Sequence, residues 1–220
     1  MIVQDQSEVL AFLRAPDSYR GLVPASMDIE VTQIDTHGAA VFLVGPLAFK
    51  MKRAVYFEYM DFSTLERRQQ CCTAELVHNR RTSRDIYTGV VAVVRRADGS
   101  LAIDGDGEAV EWLVQMRRFD ENQVFDRLAL RGELEPQLMA ETAAVICNFF
   151  DNIEVVRETG VCDSIADIVE ETTRQLAEGV PEVFSGSDTA RLTDRQRGTC
   201  SDLAAILDQR QSEGYVRLGH

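Results

Sequence analysis

The sequence lacks several features that would assign it at once to a class of protein. Among its 220 residues, no window approaches the roughly 18 uninterrupted apolar residues of a membrane span, and residues 1–5 place no basic flank before an apolar run. Basic residues are also in deficit, because 23 Lys and Arg stand against 36 Asp and Glu, a net charge of −13. Such a charge repels nucleic-acid phosphates and anionic lipid headgroups at long range. We therefore expect no nucleic-acid partner, no membrane partner and a cytoplasmic location.

Glycine and proline are also few, with 14 Gly and 5 Pro, while 45% of the residues are hydrophobic. This composition excludes collagen-like and low-complexity chains and is typical of a globular protein with one large domain or two small ones. The cysteines are odd in number and scattered, which argues against a disulfide framework. We predict reduced, mostly buried thiols at Cys71, Cys72, Cys147, Cys162 and Cys200.

Three glycine-containing motifs are missing. The chain has no G-x-G-x-x-G and no G-x-x-x-x-G-K-[ST], the loops that hold phosphates in dinucleotide-binding and P-loop proteins. It also has no G-x-S-x-G, the turn that exposes the nucleophile of a serine hydrolase. These absences disfavour the three classes that depend on those loops.

The first half of the chain shows strand periodicity interrupted by helical periodicity. We predict an N-terminal helix, a hairpin around Thr36–Gly38, a third strand at 47–55, and then a helix at 63–81 that begins with an S-x-x-E capping box from Ser63 to Glu66. Three further strands follow at 87–94, 101–103 and 108–116. The pattern predicts an α+β fold in which an antiparallel sheet carries one helix.

The second half is helical. Apolar residues at helical spacing predict helices at 125–132, 136–150, 165–176 and 194–213, the third of them capped by Ser164. We therefore divide the chain into a small domain, 1–120, and a helical domain, 121–220.

Two strand lysines and a helical glutamate form the first candidate site. Lys50 and Lys52 precede Glu75 by 25 and 23 residues, and kinase-like folds use such a pair to hold nucleotide phosphates. The alternative is a solvated strand face. At the end of the strand at 108–116, backbone groups near Gln115 to Arg117 could pair with an adenine edge, or the segment could be an ordinary strand-to-helix connection.

A metal site is a weaker alternative on the same helix. Cys71, Glu75 and His78 occupy positions i, i+4 and i+7, so they share one helical face and could present ligands to zinc. No fourth ligand lies nearby in the sequence, and Glu75 is already assigned to the lysines. We consider the zinc hypothesis the less favoured of the two.

Four segments resemble the aminoglycoside phosphotransferase-like kinases, a bacterial family often fused to a C-terminal P-loop ATPase domain. The segments are IDTHGAAVFLVGPLAFKMKRAV (34–55), YMDFSTLERRQQCCTAELVHNRR (59–81), DIYTGVVAVVRR (85–96) and VEWLVQMRRFDENQVFDRL (110–128). The resemblance is dense over residues 28–135, where its motifs occur in the family's order and spacing.

The resemblance implies a protein-kinase-like fold that transfers the γ-phosphoryl group of ATP, with Mg²⁺, to the hydroxyl of an unknown small molecule. The antiparallel small lobe would bind the nucleotide, and a truncated helical lobe would follow it. The nucleotide-binding residues implied are Thr36, His37, Gly38, Lys50, Lys52, Glu75, Gln115, Met116 and Arg117.

The end of the sequence, GYVRLGH, resembles the start of the family's H-G-D-L-H-x-x-N motif. The motif's aspartate positions the acceptor hydroxyl, and its asparagine and a later aspartate hold metal. We expect these groups beyond His220, so that this chain alone is inactive. The alternatives are a non-catalytic pseudokinase module that binds a nucleotide or a partner, and a gene remnant without function. An incomplete helical lobe would also expose apolar surface and favour self-association.

Overall fold

The computed structural model describes residues 2–157 and 160–219. The chain divides into two compact units, Met1–Met139 and Ala140–His220, here called the first and second unit. Each unit is described by itself. The division of the chain at residue 120 into the two lobes of a kinase-like fold stays a prediction.

Most elements of the first unit lie where the sequence periodicity predicts them. Its helices are α1 (Ser7–Arg14), α2 (Leu65–Asn79) and α3 (Phe125–Arg131), with single 3₁₀ turns at Pro16–Tyr19 and Glu121–Gln123. Its strands are β1 (Val31–Asp35), β2 (Ala39–Val44), β3 (Leu47–Lys52), β4 (Tyr56–Phe57), β5 (Met60–Asp61), β6 (Tyr87–Arg95), β7 (Leu101–Ile103) and β8 (Glu108–Arg117). The predicted α+β class is confirmed.

Six of the strands form one antiparallel sheet in the order β1-β2-β3-β8-β6-β7. The first three sheet strands precede α2 and the other three follow it, as predicted. The short β4–β5 hairpin was not predicted. Two-residue strands are too short to show an alternating pattern, which explains why the sequence gives no sign of them.

The strand β3 separates the two faces of the sheet. Phe49 and Met51 are fully buried in the core, together with Leu13 of α1 and Tyr19 of the first 3₁₀ turn. Because side chains alternate along a strand, Lys50 and the other even-numbered residues of β3 point to the opposite face. The N-terminal segment therefore covers one face, and α2 packs on the other, mainly against β8 and β6.

An ion pair without solvent exposure holds α2 to the sheet. The guanidinium of Arg68 donates from Nε to both carboxylate oxygens of Glu111, at 2.8 and 3.0 Å, and the two side chains are 0% and 1% exposed. Gln4 accepts from Arg68, and Gln6 donates to Glu111. The N-terminal segment thus supplies hydrogen-bonding partners that a buried ion pair requires.

The start of α2 differs from the predicted capping box at Ser63. Thr64 is the N-cap, and its side-chain oxygen accepts from the backbone N–H of Arg67. Ser63 lies one residue too early, because its own backbone N–H donates to Asp61 in a local turn. The capping residue is therefore the threonine that directly precedes the first helical residue.

The helices of the second unit are longer than predicted. They are α4 (Pro136–Asn152), which begins in the first unit, α5 (Val161–Glu178) and α6 (Gly186–Ser212). The predicted cap of α5 at Ser164 is wrong, because the Ser164 hydroxyl donates back to the carbonyl of Gly160 from inside the helix. The start of α6 at 194 is also wrong, since Ser185 caps the helix and accepts from the backbone of Asp188.

In the second unit, α5 and α6 pack side by side. Thr173 and Thr193 share a hydrogen bond between their hydroxyls, and Arg197 pairs with Glu170 at the surface. Large apolar side chains stay exposed on its helices, among them Val145, Ile146, Ile168 and Leu203. Self-association through such surface stays a prediction. Among the described residues, no helix has the length and apolar character to cross a membrane.

The prediction of mostly buried cysteines is wrong. Cys72, on the face of α2 that meets β8, is buried, whereas Cys147 is exposed and the other three are partly exposed. None is disulfide-bonded among the described residues. Cysteines on amphipathic helices follow the face on which they fall, which composition alone does not reveal.

We expect Glu111→Gln to destabilise the first unit by about 3–5 kcal/mol, because it leaves the Arg68 guanidinium buried without a counter-charge. Urea unfolding followed by the fluorescence of the single tryptophan, Trp112, measures this. The matched control is Glu8→Gln, which breaks an exposed pair with Arg95 and should cost far less, because solvent screens the two charges. Equal losses in both variants would contradict the role of the buried pair.

Candidate functional site

The structure brings Lys50, Lys52 and Glu75 together, as the spacing of these residues predicts. The Lys50 ammonium donates to Oε1 of Glu75 at 2.8 Å, and the Lys52 ammonium donates to Oε2 of the same carboxylate. The two lysines lie two residues apart on β3 and share one face, while Glu75 reaches them from the third turn of α2. Each carboxylate oxygen therefore holds one ammonium group.

The surroundings of Glu75 keep its carboxylate ionised. Burial raises the pKa of Glu75, but hydrogen bonds and charge from Lys50 and Lys52 outweigh burial and leave the pKa below its ordinary value. Burial of Cys72, which lies on the same helix, raises the pKa of its thiol to about 12. At neutral pH the Glu75 carboxylate is thus ionised and the Cys72 thiol is neutral.

Lys50 and Lys52 are the only lysines of the sequence, which uses arginine at all its other positions with a permanent positive charge. Lysine carries a compact ammonium on a flexible stem, whereas arginine presents a planar fork. Two adjacent ammonium groups in a chain that otherwise uses arginine are a signal that the sequence analysis missed. The signal favours a site that needs point charges over a solvated strand face.

A cleft of about 330 Å³ opens on the same face of the sheet, beside Lys50. Its lining is mainly apolar and includes four charged side chains, those of Lys50, Arg117, Arg118 and Glu121. The lining residues are Ile34, Thr36, Val41, Leu43, Ala48, Lys50, Tyr87, Met116, Arg117, Arg118, Phe119 and Glu121. Of the predicted site residues, Thr36, Lys50, Met116 and Arg117 line the cleft, whereas Lys52, Glu75, His37, Gly38 and Gln115 do not.

The end of β8 forms the rim of the cleft, but its backbone donors are already used. The N–H of Arg117 donates to the carbonyl of Ile86, and the N–H of Arg118 donates to the carbonyl of Pro46. In the described part of the chain, the next backbone N–H, that of Phe119, has no partner. A ligand that seeks a backbone donor at this rim would therefore meet Phe119, two residues beyond the segment named from sequence.

The Thr36–Gly38 turn lies at the end of the β1–β2 hairpin and is fixed by local bonds. The Thr36 hydroxyl accepts from the N–H of Ala39, and Arg53 donates from its backbone to the carbonyl of Gly38. A Cβ at Gly38 would lie 2.8 Å from Cε of Met60, so the end of this flexible side chain would have to shift to make room for a larger residue. The turn places Thr36 in the cleft and leaves His37 against Phe57.

The zinc hypothesis for Cys71, Glu75 and His78 gains no support. Both carboxylate oxygens of Glu75 accept from lysines. Across residues 2–157 and 160–219, no three His, Cys, Asp or Glu side chains come together in a way that could hold a metal ion.

Several cleft residues were missed at the level of sequence. The cleft has an apolar wall formed by Val41, Leu43 and Ala48. Ala48 precedes Lys50 by two residues. An Ala-x-Lys pattern on a strand places the small side chain and the ammonium on one face, and this signal could have found Ala48. Tyr87 and Glu121 come from distant segments and left no local signal.

Comparison with known proteins gives relatives but no function. The chain is 25% identical over 189 residues to an uncharacterized protein of Mycobacterium tuberculosis and to one of Mycobacterium bovis, a match that covers 84% of this chain. The matched part is 36% of each relative, so the chain spans little more than a third of their length. No family model matches the chain, and no solved structure matches it.

We expect Glu75→Gln to lower the free energy of unfolding near pH 7 by about 1–3 kcal/mol, because two ammonium groups lose their charged acceptor. Since the pKa of Glu75 is lowered in the folded state, its contribution is complete above the ordinary value of 4.5 and is lost as the pH falls through the folded-state value. The difference between wild type and variant should therefore shrink on acidification.

Urea unfolding at several pH values between 3 and 7 measures the difference. The control is Asp106→Asn, in the exposed β7–β8 turn, which should follow the wild type throughout. A difference that stays constant down to pH 3 would contradict an ionised Glu75 paired with both lysines.

Proposed function

We propose that the first unit binds ATP in the cleft beside Lys50, as the nucleotide-binding lobe of a kinase-like phosphotransferase. The observation that carries this proposal is a mainly apolar cleft bordered by Lys50, whose ammonium is paired with Glu75. A nucleotide has the matching distribution, with a planar apolar base at one end and anionic phosphates at the other.

The apolar part of the cleft fits the base. Val41, Leu43 and Ala48 supply a flat wall from two neighbouring strands, and Met116 lies beside Ala48 in the register of β3 and β8. The free N–H of Phe119 supplies one hydrogen-bond donor for the edge of the base. These features support adenine binding between the sheet and the segment that follows β8.

The part of the cleft beside Lys50 fits the phosphates. The Lys50 side chain is 29% exposed, compared with 10% for Lys52, and only Lys50 lines the cleft. An ammonium fixed by a carboxylate on α2 is held in one place before the phosphate arrives, which lowers the cost of binding. We assign the phosphate contact to Lys50.

The reaction proposed for the whole protein is transfer of the γ-phosphoryl group of ATP to the hydroxyl of a small molecule, as the family resemblance implies. This transfer needs an aspartate that positions the hydroxyl and ligands for Mg²⁺. The 220 residues contain no H-G-D motif, and among the described residues no three His, Cys, Asp or Glu side chains come together as a metal site. We therefore propose that transfer requires residues besides these 220, and that this chain contributes nucleotide binding.

A second candidate is a non-catalytic module that binds a nucleotide as a regulatory ligand. The same cleft supports it, because binding through Lys50 does not require the catalytic aspartate. The two candidates differ only in whether the whole protein transfers phosphate, so both expect the purified chain to bind ATP.

We expect the chain to bind ATP and, more weakly, adenosine, as measured by isothermal titration calorimetry. Lys50→Met should weaken ATP binding by about 10- to 100-fold, the loss of one charged hydrogen bond, and should leave adenosine binding unchanged. Ala48→Leu, which fills space beside the apolar wall, should weaken the binding of both ATP and adenosine.

The control is Arg96→Met, which removes one positive charge from a turn outside the cleft and should alter neither affinity. Absence of ATP binding by the folded wild-type chain would overturn the proposed function. Equal loss of ATP and adenosine in Lys50→Met would overturn the assignment of the phosphate contact.

We also expect no phosphotransfer by the 220-residue chain alone. ADP formation from MgATP, measured with aminoglycosides, sugars and choline as acceptors, should stay at the background level of the Lys50→Met variant. Turnover above that background would show that the chain contains a complete catalytic site.

A further inference from the structure

The two lysines at Glu75 differ in what surrounds them. Lys50 borders the cleft, whereas the Lys52 side chain is almost enclosed and its ammonium lies 5.2 Å from the ring centre of Phe62. An aromatic face attracts a cation, so Phe62 stabilises the Lys52 ammonium in its buried position. A ligand in the cleft therefore reaches Lys50, while Lys52 stays behind it.

The cluster carries an excess of positive charge. Glu75 supplies one negative charge to two ammonium groups, and the next carboxylate on this side of α2, Glu111, is already paired with Arg68. With a single lysine, the pair would be neutral and Glu75 would compete with a phosphate for the ammonium. With two, the cluster of Lys50, Lys52 and Glu75 itself keeps one net positive charge in a chain whose net charge is −13.

We propose that Lys52 is a positioning residue that compensates the charge of Glu75, so that the Lys50 ammonium is free to bind a phosphate. Lys52 holds one carboxylate oxygen whether or not a ligand is present. Glu75 then keeps its place and a partner when a phosphate attracts Lys50 towards the cleft. This inference rests on the proposed nucleotide binding and adds a role for the lysine that no phosphate contacts.

The test is a charge rescue, measured by calorimetric titration of ATP and adenosine. Lys52→Met should weaken ATP binding by about tenfold, because Glu75 then neutralises Lys50 alone. The double variant Lys52→Met with Glu75→Gln should recover most of that loss, since one uncompensated ammonium is restored. Adenosine affinity should be the same in the wild type and both variants.

The outcomes that overturn the proposal are distinct. If Lys52 itself contacts phosphate, Glu75→Gln will not rescue Lys52→Met. If Lys52 serves only the fold, adenosine affinity will fall together with ATP affinity. If the folded wild type binds no ATP, the proposed function fails, and with it this inference. If the wild type binds ATP but Glu75→Gln does not restore ATP binding to Lys52→Met, this inference fails and the proposed function stands.

A second measurement follows the binding of ATP in the wild-type chain and needs a variant only to assign the signals. Because the chain contains only Lys50 and Lys52, a sample labelled with ¹⁵N-lysine gives two side-chain ammonium signals in a nuclear magnetic resonance spectrum. Addition of ATP should shift one signal strongly, and Lys50→Arg should remove that signal. If ATP shifts the Lys52 signal of the wild type as strongly as the Lys50 signal, the assignment of the phosphate contact to Lys50 is wrong.

Discussion

The buried ion pair between Arg68 and Glu111 fixes α2 on the sheet, and the site depends on where α2 lies. The helix buries only Arg68 and Cys72, so apolar contact supplies little of its attachment. A buried pair is tolerated only when its polar atoms find partners, and Gln4 and Gln6 provide two of them. Such a network contributes more to the orientation of the helix than to net stability. Any shift of α2 would change what the carboxylate on its third turn can reach.

The site itself is an electrostatic exception within the protein. The chain is strongly acidic, yet its two lysines meet at one carboxylate beside an apolar cleft. A local positive charge with low-dielectric walls attracts anions more strongly than the same charge in water does. The strand β3 makes this possible, because its alternate residues supply the core on one face and the ammonium groups on the other. The fold and the site thus depend on the same six-residue strand, β3.

The two units make different contributions to the proposed function. The first unit contains the complete cleft with its lysine–glutamate cluster, and it is the part for which nucleotide binding is proposed. The second unit consists of helices whose apolar residues are partly exposed. The match covers 36% of each mycobacterial relative, and the acceptor and the transfer step stay proposals. Nucleotide binding can be examined on this chain by itself.

The sequence by itself determined the order and the type of most elements, because period-two and helical patterns arise from residues close together in the chain. It also singled out Lys50 or Lys52 with Glu75 as a candidate site, from the spacing between a strand lysine and a helical glutamate. Only the tertiary structure decided which lysine faces the cleft. It also decided that Arg68 pairs with Glu111, 43 residues away. These outcomes depend on distances between segments remote in sequence and on which groups lose contact with water, and no local pattern records either.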